Sequence, residues 1–272
     1  MLQPALIATL PYLAPVDGKP VYYASSAGVE DGHNTGVVLD FREVAIYNAR
    51  TAEITPSLDR EGFTLVDHKS VITDFYALGS QQPNYEREIR ALVLSATGGT
   101  EAVVFDHTLR SDCAAIRTQK NTRDPAGFVH NDYTARSAHK RVRDSLPVTE
   151  AAKRLEQRFA IINVWRSVEG SVLRSPMTCC DATTLSEEDL VAVERRAKDR
   201  AGELEFATWN SRHRWYYYPD MSMGEALLIK TFDSASDGRA TRSIHTAFKN
   251  PLARADAPPR ESIESRLLVF FD

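Results

Sequence analysis

His130 and Asp132 stand one residue apart in Phe128-Val129-His130-Asn131-Asp132-Tyr133-Thr134, a short run that is apolar at its start and aromatic or β-branched at its end. Such a run reads as a strand, and in a strand residues i and i+2 point to the same face. An imidazole and a carboxylate are thereby aimed at one point. His245 lies in a second strand-like run, Ser243-Ile244-His245-Thr246-Ala247-Phe248. Two imidazoles and one carboxylate are the facial donor set that leaves coordination positions open on an Fe(II) ion. With 7 histidines and many aspartates in 272 residues, His-x-Asp arises easily by composition, so the motif gains weight only from what accompanies it.

The accompaniment lies near the C-terminus. Arg260, Ser262, Glu264 and Arg266 share one parity, and Ile263, Leu267, Val269 and Phe271 share the other. A strand here has a polar start on one face, while Leu268 and Phe270 make its end apolar on both. An arginine fork grips a carboxylate bidentately, and a serine hydroxyl adds a further bond. Arg260-x-Ser262 after a distal metal histidine is what a carboxylate-bearing cosubstrate needs. The plainer reading is a strand end with surface Arg–Glu pairs, each worth little.

The elements that must position these residues are mostly strands. Residues 19–24, 37–41, 44–47, 62–66, 102–105, 159–168, 204–209, 215–218, 226–231, 243–248 and 262–271 read as strands by β-branched and aromatic content. Turn signals stand at 32–34, Pro219-Asp220, Ser236-Asp237-Gly238 and Pro258-Pro259. Residues 84–95 carry Tyr85, Ile89, Leu92 and Val93 at helical spacing, and Gly98-Gly99 ends that helix. Residues 150–159 and 186–201 are expected as helices, the second from a Ser186/Asp189 capping pattern. Residues 109–124 read as a polar loop. Arg136, His139, Lys140, Arg141 and Arg143 read as a solvated helix face, or as a lid over an anionic substrate. Trp215 to Tyr218 and Met221 to Met223 are either strand packing or pocket lining.

The fold class that follows is α+β, mainly β: a sandwich or barrel with helices packed outside, of which a double-sheet jelly roll is one form. No linker divides the chain, so residues 1–272 are read as one domain, with 1–41 as an extension on the core. A net charge of −4 and a pI near 6.0 argue against nucleic acid. Three cysteines, two of them adjacent, make no disulfide framework and fit the cytoplasm. The apolar N-terminus lacks the basic flank of a signal peptide and the length of a membrane span.

Taken together, the chain resembles the CmcJ/AsaB/NvfI-type iron(II)- and 2-oxoglutarate-dependent dioxygenases of secondary metabolism. The residues that carry this are Val129-His130-Asn131-Asp132-Tyr133-Thr134, Asn163-Val164-Trp165-Arg166, Tyr217-Tyr218-Pro219-x-Met221, Glu225 to Lys230 with Phe232-Asp233-Ser234, His245-Thr246-Ala247-Phe248 and Pro258-Pro259-Arg260-Glu261-Ser262-Ile263-Glu264-x-Arg266. The likeness runs from about Arg42 to the C-terminus. One departure is Ser167-Val168, where the family usually continues with proline after Asn163-Val164-Trp165-Arg166. The resemblance implies a double-stranded β-helix, iron held by His130, Asp132 and His245, and 2-oxoglutarate held by Arg260 and Ser262. Arg266, Asn163 and Arg166 are further cosubstrate-binding or supporting candidates. Fe(II), 2-oxoglutarate and O2 are the implied cofactors. The substrate is a small natural-product or amino-acid-like molecule, undergoing hydroxylation, desaturation or oxidative cyclisation. The family leads one to expect a homodimer. Two other readings remain open from sequence: a jelly-roll enzyme using the same ligands for Lewis-acid chemistry without O2, and a non-catalytic binding jelly roll.

Overall fold

A computed structural model of the chain describes residues 4–23, 36–197 and 200–272. The expected turn at 32–34 lies outside them. In chain order the first elements are β1 (Leu6–Leu13), β2 (Val21–Tyr23), β3 (Leu39–Asn48), β4 (Phe63–Asp67), α1 (Gln82–Thr97) and β5 (Glu101–Ser111). Then come α2 (Ala114–Lys120), β6 (His130–Asn131), α3 (Ala135–Ser145), α4 (Val148–Leu155), β7 (Phe159–Ser167) and β8 (Met177–Cys180). The last are β9 (Leu190–Ala197), β10 (Arg200–Ala207), β11 (Trp215–Tyr217), β12 (Glu225–Asp233), β13 (His245–Ala247) and β14 (Glu261–Phe270).

Two sheets face each other. One runs β1-β3-β11-β8-β13-β6-β10-β9-β2, and the other β4-β12-β7-β14-β5. Pairing is antiparallel except between β3 and β11 and between β2 and β9. The larger sheet curls until Leu13 of β1 bridges Thr208 just beyond β10. This is the double-stranded β-helix expected from the resemblance. Between the sheets, Trp165, Leu227 and Ile229 from the smaller pack on Tyr216, Cys179 and Met177 from the larger, with Phe63 and Tyr218. The outer face of the smaller sheet is covered by α1, whose Tyr85, Ile89 and Val93 meet Ile162, Val164, Leu228 and Ile263. That spacing is the i, i+4 stripe of an amphipathic helix. Gly98, at φ +70°, ends α1 with its N–H on the Leu94 carbonyl.

Four sequence expectations are corrected. Ser186 and Asp189 do form their reciprocal cap, but it closes a single 3-10 turn, and the chain then enters β9 rather than a helix. Val191 and Val193 alternate inward onto Tyr22, Phe128 and Phe206, and pairing with β10 satisfies the backbone. Period two thus outweighs a local cap signal. Residues 109–124 are not a loop: β5 runs to Ser111 and α2 follows. The helix expected at 150–159 ends at Leu155, and Phe159 belongs to β7. The two strands expected at 37–41 and 44–47 are one, β3. Strands β1 and β8 had no expectation attached.

Of the basic run on α3, Arg136, Lys140 and Arg143 are exposed, while His139 packs edge-on against Phe159 and Phe232 and Arg141 is half-buried. Arg136 pairs with Glu203 and Lys140 with Asp144, while Arg141 lies 4.9 Å over the Phe105 ring. Of the aromatic cluster, Tyr216, Tyr218 and Met221 fill the core between the sheets, and Trp215 and Tyr217 fill a separate cluster with Leu10, Tyr12 and Ile46.

Candidate metal centre

β6 and β13 are neighbours, and His130 is the register partner of His245. Directly opposed residues project from the same side of a sheet. The imidazole centroids are accordingly 4.6 Å apart. The first of these strands is only two residues long, and Asp132 follows just beyond it, before Thr134 caps α3 through a reciprocal bond with Ser137. One donor atom from each of His130, Asp132 and His245 lies within 4.8 Å of the others.

The tautomers follow from the neighbours. His130 Nδ1 is 2.9 Å from the Phe128 carbonyl, and His245 Nδ1 is 3.2 Å from the Ser243 carbonyl. A carbonyl only accepts, so each Nδ1 carries the proton and donates it. Each Nε2 lone pair then faces the cluster, the arrangement that second partners impose on metal-bound histidines. Asp132 is set the same way. Its Oδ2 accepts from Asn163 Nδ2 at 2.7 Å and Arg266 Nε at 2.8 Å. Its Oδ1 is left facing His130 Nε2 at 3.5 Å. The two side chains are 7% and 12% exposed, so the donor set is nearly enclosed.

The electrostatics suit a cation. Burial raises the Asp132 carboxyl, but Arg266, His130 and His245 outweigh it and hold the carboxyl well below its ordinary value. Burial, then the neighbouring His130, pushes His245 down to about 4, so that ring is a neutral donor at physiological pH. Cys179 sits opposite His245 in β8, yet burial, then Cys180 and Glu264, raises its thiol well above 9, and it offers no thiolate. A set of two imidazoles and one carboxylate suits Fe(II) with open positions.

Register carries the site along the smaller sheet. Arg266 pairs with Asn163, Glu264 with Trp165, and Ser262 with Ser167. These residues share the inner face. Arg266 spans three carboxylates: Asp132, Asp106 at 2.5 Å and Glu264 at 2.5 Å. Asn163 joins Asp132 to Glu264 with bonds of 2.7 and 3.0 Å. Arg266 and Asn163 are therefore fully committed to holding Asp132. Arg260 differs. Its Nε donates to Ser262 Oγ at 3.1 Å and its Nη1 to the Ser175 carbonyl at 3.0 Å, while its Nη2 is buried with no partner among the described residues. The guanidinium lies 4.9 Å from the Trp165 ring centroid. Burial, then Arg110, brings it down to about 9. An orphaned, buried guanidinium donor beside a serine fits the carboxylate of 2-oxoglutarate. Arg166 is not brought to this cluster. It pairs with Ile263 on the opposite, α1-facing side and donates to the His68 ring and carbonyl.

Sequence reasoning missed Asp106, Thr108 and Ser175. Thr108 and Asp106 lie on β5 opposite Glu264 and Arg266, and both accept from Arg266 Nη1. Parity along residues 106–110 would have grouped them, had that stretch been read as strand throughout.

The chain matches the family model described as an oxidoreductase/YMDC permease-like domain over residues 10–270. It is 35% identical to the hydroxylase/desaturase CTB9 of Cercospora beticola, covering 85% of this chain and 77% of that protein. It is 30% identical to the Fe(II)/2-oxoglutarate-dependent dioxygenase nvfI of Aspergillus novofumigatus, covering 84% and 83%. The solved structure of the iron and alpha-ketoglutarate-dependent endoperoxidase NvfI superposes with a TM-score of 0.85 over 98% of each chain, at 26% identity.

Proposed function

This chain belongs to the CmcJ/AsaB/NvfI-type iron(II)- and 2-oxoglutarate-dependent dioxygenases, and from that membership we propose the roles of its site residues. His130 and His245 ligate Fe(II) through Nε2, and Asp132 ligates it through Oδ1. The observation that carries this is the convergence of three donor atoms whose other polar atoms are already spent on the protein. Arg260 and Ser262 take the far carboxylate of 2-oxoglutarate, supported by the unpartnered Arg260 Nη2. Arg266 and Asn163 fix the Asp132 carboxylate instead, and Arg166 supports the fold behind β7.

Fe(II) held by His130, Asp132 and His245, with 2-oxoglutarate and O2, would supply the oxidising chemistry of this family, in which 2-oxoglutarate ends as succinate and CO2. The protein supplies orientation and rigidity. Asn163 and Arg266 lie on strands, are braced by Glu264, and hold one Asp132 oxygen, so the other stays aimed at the ligand position. Trp165 and Arg260 are both buried, with the guanidinium over the indole. The substrate is a small organic molecule of secondary metabolism, and hydroxylation, desaturation and oxidative cyclisation are the outcomes open to the site. The Lewis-acid alternative finds no support in these relatives.

The remaining parts of the proposal concern context. Residues 1–272 act as one domain, with 1–41 joined to the core through the pairing of β1 with β3 and β2 with β9. Ile7 and Phe41 are 50% and 67% exposed on one face of the β1–β3 pair, the kind of surface a second copy of the chain covers in a homodimer. Among the described residues no helix is long and apolar enough to cross a membrane. Free cysteines support a reducing, cytoplasmic setting, and the acidic net charge speaks against nucleic acid.

The test is anaerobic titration of metal-free protein with Fe(II) and then 2-oxoglutarate, followed by visible absorption. A weak metal-to-ligand band that requires both additions, and is lost in His245→Ala, is expected. Metal binding without the band would remove Arg260 and Ser262 from their role. No metal binding would return His130 and Asp132 to plain strand neighbours.

A further inference from the structure

Beside the iron ligands the larger sheet displays a row of inward-facing residues. In β10 and β6 the register runs His130 opposite Phe206, and in β10 and β9 it runs Phe206 opposite Val191, Leu204 opposite Val193, and Gly202 opposite Arg195. Arg195 therefore stands on the same face as His130, at the end of that row. Its partner is a glycine around which an added Cβ would meet nothing within 4 Å, so the space above it is open. Tyr22 of β2 lies alongside Arg195. The Tyr22 ring is 5.0 Å from Phe128, and Phe128 is 4.9 Å from the His130 imidazole. An aromatic wall thus leads from the metal ligands to Arg195.

A second edge of the same opening comes from the smaller sheet. Arg110 is the register partner of Ser262, so it shares the inner face with the 2-oxoglutarate residues. It is tied back by the Asp124 carbonyl at 2.7 Å and approaches Glu264 at 3.9 Å. Arg123 is bridged to Arg110 backbone to backbone, which sets the two side chains next to each other. Among the described residues no carboxylate pairs with Arg123 or Arg195. Of the carboxylates nearby, Asp106, Asp132 and Glu264 all bind Arg266, and Asp124, next to Arg123 in the chain, lies close enough to act on Tyr22. Burial, then Arg110, lowers the Arg123 guanidinium, and burial, then Arg123, lowers that of Arg195. Three like charges held together against burial want an anion.

We propose that Arg123 and Arg195, backed by Arg110, receive an anionic group of the substrate, a carboxylate by preference, while its apolar body lies on Tyr22 and Phe128 beside His130. The substrate class is then an amphipathic organic acid. The reacting carbon is placed at the metal by two-point attachment: charge at the arginines and ring contact at the wall. This rests on the assignment of iron to His130, Asp132 and His245.

The experiment uses the Fe(II)- and 2-oxoglutarate-loaded protein under anaerobic conditions, with 1-naphthoate and its neutral isostere 1-naphthamide as calorimetric probes. The acid is expected to bind at least about tenfold tighter than the amide, the equivalent of one charge-assisted hydrogen bond. Arg195→Gln and Arg123→Gln should each cut acid binding by about tenfold, leaving amide binding and the 2-oxoglutarate absorption band unchanged. Equal affinity for acid and amide, or no binding of the acid, overturns the proposal, and this comparison needs no variant to fold. Loss of 2-oxoglutarate binding in the variants overturns it differently, by giving these arginines to the cosubstrate. If the wild-type protein shows no metal-to-ligand band at all, the iron assignment fails. The acid–amide comparison on metal-free protein still reads the anion site separately.

Discussion

Replacing Arg260 by methionine separates a binding arginine from a structural one. The side chain is fully enclosed, and its Nη2 has no partner among the described residues. Burial, then the neighbouring Arg110, pulls its guanidinium far below the ordinary arginine value, to about 9, which is on the order of 5 kcal/mol held against the charged form. Methionine removes that burden and keeps most of the volume. Against this, Ser262 Oγ and the Ser175 carbonyl each lose a donor, at about 1–3 kcal/mol apiece. The two effects oppose each other, so Arg260→Met is expected to leave the metal-free protein between about 3 kcal/mol more stable and about 1 kcal/mol less stable. Binding is another matter. A carboxylate that loses a two-pronged charge-assisted contact loses about 3–6 kcal/mol, or about 10²- to 10⁴-fold in affinity. The assays are urea denaturation without ligand and anaerobic titration of the Fe(II)·2-oxoglutarate band. Arg166→Met is the control: it is equally buried but lies on the α1 side, so 2-oxoglutarate affinity should be unchanged. The reasoning is refuted if Arg260→Met destabilises the metal-free protein by more than about 3 kcal/mol while still binding 2-oxoglutarate within about tenfold of wild type.

Three further outcomes are expected. Asn163→Leu removes one of two donors from Asp132 Oδ2, so Fe(II) affinity should fall by about 10- to 100-fold in a metal titration, and unchanged affinity would deny Asn163 its positioning role. Burial lowers His68, His107 and His213 below their ordinary 6.5, so the unfolded chain takes up protons below that pH that the folded chain refuses. Stability of the metal-free protein should therefore drop as pH falls from about 7 to about 5, and a flat urea midpoint over that range would count against it. Gly62 has φ +83°, and a Cβ there would lie 2.9 Å from Ser243 Cβ. Gly62→Ala should destabilise by about 2–4 kcal/mol. It should also weaken Fe(II) binding, because the Ser243 carbonyl sets the His245 ring; normal Fe(II) affinity in a destabilised variant would uncouple the two.

The sequence by itself determined the chemistry. His130-x-Asp132 was legible from sequence because the pair is local, although only His130 lies in a strand and Asp132 comes from the turn just after β6. Local spacing likewise groups Ser262, Glu264 and Arg266 on β14, with Arg260 just ahead of it, and the i, i+4 stripe of α1. Local signals failed where pairing decides. The Ser186–Asp189 cap formed and still yielded a strand, because β10 offered β9 a ladder and an apolar face that no window of sequence contains. Only the tertiary structure divided the arginines. Arg166 and Arg260 are both buried, yet the register of β7 against β14 sends one to the helix side, while the other lies over Trp165 on the inner face. Arg266, in line with Ser262, is consumed by three carboxylates from β14, β5 and the turn after β6. Arg195 reaches the same opening from β9 in the opposite sheet. Register across sheets is set by long-range packing, and a free guanidinium is recognised only when every possible partner has been placed.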